Sequence, residues 1–197
     1  MATVTQTLTV DEYIELERTT GERHEFRNGE AIPTVGGSGN HSLIITNLVV
    51  AMTGHARNPG RQTHGSDMRV AVPSTDAMVY PDVVVTDGLP NYVPPKDTLT
   101  NPRLVVEVLS PSTEAYDRDE KFDDDCTIDG FREYLLVSQE KPNVTQFVNR
   151  DGNWLRFTHA DSNSTIDIES LNCQIALVDI YDQVDFTASG NTTRPST

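Results

Sequence analysis

The chain has 197 residues, of which 36% are hydrophobic, so one domain with a buried core is expected and a disordered polymer is excluded. No stretch approaches the roughly 18 apolar residues of a membrane span. The first residues lack the segments of a signal peptide, so we expect a cytoplasmic protein without membrane contact. The net charge of −15 counts against extensive phosphate binding but leaves room for a local basic groove.

The first third of the chain predicts two helices separated by a hairpin. Residues 9–12 form a capping-box pattern that starts a short helix ending near Arg18. Asn28 and Gly29 suit a type I′ turn, which predicts a hairpin of residues 24–32. A longer helix is predicted over residues 40–57, because its apolar positions follow the i, i+3, i+4, i+7 spacing.

The rest of the chain alternates strands with short helical segments. Turn residues and apolar runs predict strands at residues 61–72, 79–86, 103–109, 132–137, 143–149, 154–158, 166–168 and 173–175. A Pro-rich excursion covers residues 88–96 and a helix covers 113–128, with Gly130 at its exit. The segment 178–184 predicts a last helical turn or two, and residues 187–197 a flexible C-terminal tail.

This order of elements predicts a single α/β domain over residues 1–186, with a mixed β-sheet core flanked by helices. The strand–helix–strand passage over residues 104–137 is expected to form a right-handed crossover, which makes its two strands parallel neighbours.

Three side chains from separate elements carry the candidate catalytic chemistry. Asp82 heads an apolar strand, Glu107 lies in the middle of another, and Lys121 belongs to the following helix. A glutamate among aliphatic residues costs several kcal/mol unless it is paired or bound to a metal. Two carboxylates on neighbouring strands with an amine nearby form a minimal set for metal-dependent phosphodiester hydrolysis.

If the two strands pair in a suitable register, Asp82 and Glu107 meet at a separation that suits a metal ion. These carboxylates, a backbone carbonyl near Val108 and water would satisfy Mg²⁺, with Mn²⁺ as a possible substitute. Zinc and copper prefer nitrogen or sulfur ligands. Lys121 would orient or deprotonate the attacking water, or stabilise the charged transition state.

Each of these residues also has a purely structural interpretation. Asp82 could be a solvated residue at a strand edge, and Glu107 could form a buried ion pair with Arg69 or Lys121. Lys121 could be an ordinary i, i+4 partner of Asp117.

Three further residues are possible additions to the site. Glu25 in the first hairpin could bind the metal or a water, or be a solvated strand residue. His41 at the start of the long helix could contact the substrate, or be a hydrogen-bonded structural histidine. Asp67 could approach from a neighbouring strand, or form a turn or a salt bridge with Arg69.

Several short motifs occur in a fixed order along the chain. They are residues 9–13 (TVDEY), 22–30 (ERHEFRNGE), 40–41 (NH), 65–70 (GSDMRV), 80–83 (YPDV), 104–113 (LVVEVLSPST), 117–122 (DRDEKF) and 133–134 (EY). Together they resemble a large family of restriction-endonuclease-like proteins known as a domain of unknown function, within the PD-(D/E)xK nuclease superfamily. The resemblance spans about residues 8–185.

This resemblance implies a restriction-endonuclease-like fold with the acidic pair at Asp82 and Glu107. The lysine expected two positions after the glutamate is replaced by Leu109, and its role is implied for Lys121 on the following helix. Asp125 stands where an aromatic residue is usual, and the acidic triplet 123–125 could pair with Lys121.

The resemblance further implies a Mg²⁺-dependent endonuclease that hydrolyses DNA, with homodimerisation expected by analogy. Two other functions remain open from the sequence. One is a catalytically weak or inactive binding module that retains the nuclease fold, and the other is a hydrolase of a different phosphate ester. The acidic composition favours the first of these, and the three catalytic candidates favour the nuclease.

Overall fold

The helices and strands of this chain are taken from a computed structural model that describes residues 7–34, 36–55, 60–93, 97–111 and 114–189. The α-helices are α1 (Val10–Thr20), α2 (Gly39–His55), α3 (Glu114–Arg118), α4 (Glu120–Asp125) and α5 (Leu177–Ile180). The strands of the first half are β1 (His24–Arg27), β2 (Glu30–Pro33), β3 (Thr63–Gly65), β4 (Arg69–Val72), β5 (Ala77–Val79), β6 (Val83–Val85), β7 (Tyr92–Val93) and β8 (Thr98–Leu99). Those of the second half are β9 (Leu104–Leu109), β10 (Glu133–Ser138), β11 (Val144–Arg150), β12 (Asn153–His159), β13 (Thr165–Ile168) and β14 (Cys173–Ala176).

The strands form two six-stranded sheets and a two-stranded ribbon. The first sheet has the order β2-β1-β5-β4-β8-β7 and the second the order β12-β11-β10-β9-β6-β3, while β13 and β14 form the ribbon. Both sheets are mixed, because β4 and β8 are parallel in one and β9 and β10 in the other. The predicted fold class, a mixed β-sheet core flanked by helices, is confirmed.

The central strands of the second sheet, β6, β9 and β10, are buried on both faces, and alternation along them decides which core each residue enters. Val83 and Val106 pack with α2, the ribbon and α5 in one apolar cluster. Val84 and Val105 point the opposite way, into a cluster shared with the first sheet and the segment after α4. Because Asp82 and Glu107 have the same parity as Val84 and Val105, the fold directs both carboxylates between the two sheets.

Several elements match the sequence predictions closely. The Thr9 side chain accepts a hydrogen bond from the Glu12 amide, and the Glu12 carboxylate accepts from the Thr9 amide, so the capping box is formed. Asn28 and Gly29 have φ values of 51° and 80°, as a type I′ turn requires. The parallel pairing of β9 with β10 is also confirmed.

The predicted strands 61–72 and 79–86 were wrong in one respect, because each is divided between the two sheets. A turn at Ser66 and Asp67 separates β3 in the second sheet from β4 in the first. The segment at Tyr80 and Pro81 separates β5 from β6 in the same way. Proline lacks the N–H that a ladder needs, so the strand stops there and the chain changes sheet.

The predicted helix over residues 113–128 is instead two short helices, because Asp119 (φ −116°, ψ −86°) leaves the helical region between α3 and α4. Strand β7 lies within the segment predicted as a Pro-rich excursion, and β8 follows that segment. The start of the predicted tail, residues 187–189, belongs to a 3-10 helix. Outside the described residues lie 56–57 of the long helix, 94–96 of the excursion, 113 at the predicted helix start and 190–197 of the tail.

None of the helices in the described ranges combines the length and the apolar character that a membrane crossing requires.

Candidate active site

The antiparallel pairing of β6 with β9 brings Asp82 and Glu107 together. Val83 lies opposite Val106 and Val84 opposite Val105, so the same register carried one place further puts Asp82 opposite Glu107. The Val108 amide donates a hydrogen bond to Asp82 Oδ2 at 2.7 Å. The Asp82 amide lies 3.4 Å from Glu107 Oε2. The strand pairing on which the predicted site depended is therefore present.

Lys121 reaches this pair from α4. Its Nζ lies 2.8 Å from Glu107 Oε1 and 3.0 Å from Glu25 Oε1, and its side chain is only 3% exposed. The buried partner of Glu107 is thus Lys121 rather than Arg69. The Arg69 guanidinium pairs instead with Glu17 of α1 and with Asp97, which comes just before β8. Glu25 from the first sheet and Glu107 from the second sheet thus hold the lysine ammonium between the two sheets.

Glu25 and His41 also join the cluster. Glu25 on β1 accepts a hydrogen bond from the Tyr80 amide at 3.2 Å in addition to that from Lys121. His41 lies in the first turn of α2, with Nε2 3.4 Å from Asp82 Oδ2. Burial lowers the pKa of His41. The hydrogen bond and charge of Asp82 and the hydrogen bond with the Val108 backbone raise it by more, so the pKa lies above its usual value.

Asp67 is not brought to the cluster. Its carboxylate forms an ion pair with Arg23, and its side chain is 91% exposed. Asp67 lies in the turn between β3 and β4, and its ionic partner is Arg23 and not Arg69.

Sequence reasoning considered Asp117 and Asp125 only as possible ion-pair partners of Lys121 and missed their burial at the site. Asp117 and Asp125 flank Lys121 four residues before and after it, and they are 4% and 0% exposed. A spacing of four places side chains on the same face of a helix, so it was a usable signal. It was not decisive, because acids four residues from a lysine are common on exposed helix surfaces.

Buried acids outnumber buried bases at this site. The acidic cluster consists of Glu25, Asp82, Glu107, Asp117 and Asp125, and its basic partners are Lys121 and His41. Burial raises the pKa of Glu107 well above its usual range, Lys121 opposes that effect, and Asp117 and Asp82 add to it. Burial alone would lower the pKa of Lys121, but Glu107 and Glu25 hold it well above the usual value.

The donor set can be compared with the needs of a metal ion. Within the described ranges, no group of three His, Cys, Asp or Glu side chains is arranged to hold a metal. The two opposed carboxylates of Asp82 and Glu107 offer only oxygen ligands and too few to enclose an ion, and the Val108 backbone meets them through its amide. Such a set fits a hard cation that keeps several waters, as Mg²⁺ does, and metal binding here stays a prediction.

The fold and this cluster define an α/β protein of the restriction-endonuclease-like class. The model of the Uma2 family, described as "Putative restriction endonuclease", matches residues 10–178. The chain therefore belongs to this family.

Two relatives from Synechocystis sp. (strain ATCC 27184 / PCC 6803 / Kazusa) are similar to this chain over most of its length. "Uncharacterized protein slr1290" is 34% identical over 175 residues, covering 88% of this chain and 91% of the relative. "Uncharacterized protein sll1609" is 35% identical over 136 residues, covering 68% of this chain and 77% of the relative.

A solved structure shares the fold. The crystal structure of "a putative nuclease belonging to DUF820" from Anabaena variabilis ATCC 29413 has a TM-score of 0.72 at 16% identity and covers 88% of this chain and 97% of that chain. The fold and family expected from the sequence motifs are confirmed.

Proposed function

We propose that this chain is a metal-dependent endonuclease that hydrolyses DNA phosphodiester bonds at the acidic cluster. The observation that carries the proposal is the placement of Asp82 opposite Glu107 with the Lys121 ammonium 2.8 Å from the glutamate. Membership in a family described as restriction endonucleases supports it.

Asp82, Glu107 and the backbone carbonyl of Val108 would hold a Mg²⁺ ion, or Mn²⁺ in its place. When bound, such an ion lowers the pKa of a coordinated water and balances charge on the phosphate. His41 donates to Asp82 and so fixes the orientation of that carboxylate.

Lys121 acts in this proposal as a charged donor and not as a general base. Its ammonium is buried between two carboxylates, and these hold the proton on the amine. A permanent cation can orient the attacking water and stabilise the negative charge that develops on the phosphate oxygens. Glu25 keeps the ammonium in place, since it accepts a directed hydrogen bond from Nζ.

A second candidate is a binding module that retains the fold with little or no catalysis. The net charge of −15 favours it, because phosphate neutralisation by basic side chains supplies most non-specific DNA affinity. Several arginines are also engaged by acids, among them Arg27 with Glu120 and Arg61 with Asp87.

A homodimer, which would offer one site to each DNA strand, is part of the nuclease proposal.

Cleavage of supercoiled plasmid in Mg²⁺ or Mn²⁺ tests the proposal. The wild-type protein should nick or linearise the plasmid, and Asp82→Ala and Glu107→Ala should each abolish cleavage while the circular dichroism spectrum is retained. Asp179→Ala, which removes an exposed carboxylate on α5, is the matched control and should cleave as the wild type does. Equal cleavage by all four proteins would identify a contaminant, and DNA binding without cleavage by the wild type would favour the binding module.

A further inference from the structure

Asp125 is the least satisfied polar group near the candidate site. Its side chain is fully buried, and neither carboxylate oxygen has a hydrogen-bond partner among the described residues. An unpaired buried carboxylate is strongly unfavourable, so such a group in a folded core calls for a functional or structural explanation.

The surroundings of Asp125 supply one cation and several acids. Asp125 follows Lys121 by four residues on α4, which puts the two side chains on the same face of the helix. Lys121 is the group that favours its charged form, while Glu25 on β1, Asp124 and Asp117 oppose it. The Lys121 ammonium is therefore the natural counter-ion for Asp125.

The two present contacts of the Lys121 ammonium are not equivalent. Its contact with Glu25 is a directed hydrogen bond of 3.0 Å. Its contact with Glu107 Oε1 is an ion pair of 2.8 Å, and among the surrounding carboxylates Glu107 has the largest effect on the charge of the ammonium. The Glu107 contact is the one that a cation on this carboxylate would displace, because the cation and the ammonium would bind the same group.

A divalent cation and the ammonium would compete for Glu107. A divalent ion at Asp82 and Glu107 repels a positive charge less than 3 Å from the glutamate oxygen, and the buried ammonium then needs a new partner. Asp125 lies one helical turn away with two acceptor oxygens that nothing else among the described residues uses.

We propose that Asp125 is a positioning residue that receives the Lys121 ammonium when a divalent cation binds Glu107. The inference rests on the proposed function, because it requires a cation at Asp82 and Glu107. Glu25 keeps its hydrogen bond throughout and acts as the pivot. Lys121 thus exchanges Glu107 for Asp125 as its second carboxylate while it stays hydrogen-bonded to Glu25, so its charge remains beside the cation site as the proposed function requires.

Calorimetric titration with Mn²⁺ tests this proposal. Asp82→Ala should lose Mn²⁺ binding at the proposed site, so the heat that this variant lacks identifies the binding event to be measured. Asp125→Asn keeps the shape of the side chain but cannot carry its charge, so we expect its Mn²⁺ affinity to fall about tenfold or more, the size of a buried charge-assisted hydrogen bond. Asp123→Asn removes an exposed charge from the same helix and should bind Mn²⁺ as the wild type does.

A second measurement needs no variant. The ammonium group of Lys121 should give a protected proton–nitrogen resonance, which is assignable because the chain has only three lysines. Saturation with Mg²⁺ should shift this resonance while keeping it protected from exchange, since one buried carboxylate replaces another.

The possible outcomes separate the two proposals. Equal Mn²⁺ affinity of Asp125→Asn and the wild type, or a Lys121 resonance that Mg²⁺ leaves unchanged at saturation, would overturn the role of Asp125 while the cation site stands. A wild-type protein that binds no divalent cation at Asp82 would overturn the proposed function and the role of Asp125 with it.

Discussion

The charge on Asp125 should make the stability of this protein decrease as the pH rises from acid to neutral. Burial raises the pKa of this carboxyl from 3.8 to about 7, Lys121 opposes the shift, and Glu25, Asp124 and Asp117 add to it. Between pH 3.8 and about 7, Asp125 therefore keeps its proton in the folded state, whereas the same carboxyl has lost its proton in the unfolded chain. Stability from this group is complete below that value, is lost progressively up to about pH 7, and is constant above it.

The magnitude follows from the size of the shift. A difference of about three units corresponds to about 4 kcal/mol of lost folding free energy at pH 8, of which about 1.5 kcal/mol is already lost at pH 5. Asp125→Asn removes this dependence. Its buried amide carries a cost of its own, about 1–3 kcal/mol, but that cost is the same at both pH values.

Urea unfolding at pH 5 and pH 8 measures the effect. The stability of Asp125→Asn relative to the wild type should improve by about 2.5 kcal/mol between the two conditions. Asp123→Asn, which removes an exposed carboxylate from the same helix, should show no comparable improvement. A relative stability of Asp125→Asn that is equal at pH 5 and pH 8 would show that Asp125 does not change its protonation on folding in this range.

Three further variants test the rest of the structure. Arg69→Met should destabilise the protein by about 3–5 kcal/mol in urea unfolding, because it leaves the Glu17 carboxylate buried without its guanidinium. Thr9→Ala should cost about 1 kcal/mol in the same assay, because it removes the cap of α1. Lys121→Met should bind Mn²⁺ at least as tightly as the wild type, because the ammonium that competes for Glu107 is gone. It should also lose plasmid cleavage, because the same ammonium stabilises charge in the transition state.

The two stability variants, Arg69→Met and Thr9→Ala, have matched controls. Arg156→Met replaces an exposed arginine on β12 and should change the unfolding free energy by less than about 0.5 kcal/mol. Thr19→Ala, the control for Thr9→Ala, removes an exposed threonine from the last turn of α1 and should also change the unfolding free energy by less than about 0.5 kcal/mol. An Arg69→Met variant as stable as Arg156→Met, or a Lys121→Met variant that cleaves at the wild-type rate, would contradict the roles given to these lysine and arginine side chains.

Much of the central architecture was predictable because it depends on local patterns. The apolar runs around Asp82 and Glu107 predict buried strands, and their period of two predicts which residues share a face. The pairing of β6 with β9 was a condition in that argument, and the structure meets it. The division of residues 61–72 and 79–86 between two sheets was not predictable, because sheet membership depends on partners distant in sequence.

The composition of the cluster was only partly predictable for a similar reason. Asp82, Glu107 and Lys121 come together because β6, β9 and α4 pack at one place. The spacing of Asp117 and Asp125 around Lys121 was visible, but the burial of α4 depends on tertiary packing, in which Phe122 contacts Tyr134 and Phe147 of the second sheet. Nothing local in an acidic triplet distinguishes a core position from a solvated one.

Two charged networks in this protein differ in how well their members are satisfied, and that difference separates structure from function. Arg69 pairs with Glu17 and Asp97 and donates to Thr98, while Glu17 also accepts from the Tyr80 hydroxyl. A network with partners for its charges can hold the first sheet to α1 without further ligands.

The acidic cluster has the opposite character, because the fully buried carboxylate of Asp125 lacks any hydrogen bond among the described residues and Lys121 already contacts Glu25 and Glu107. Such an arrangement opposes folding, so packing cannot be the reason that it occupies the core. A bound cation would offset the excess negative charge of the site, and Asp125 would gain the partner that it lacks. The same imbalance that costs stability is therefore the strongest physical argument that this cluster is a working site.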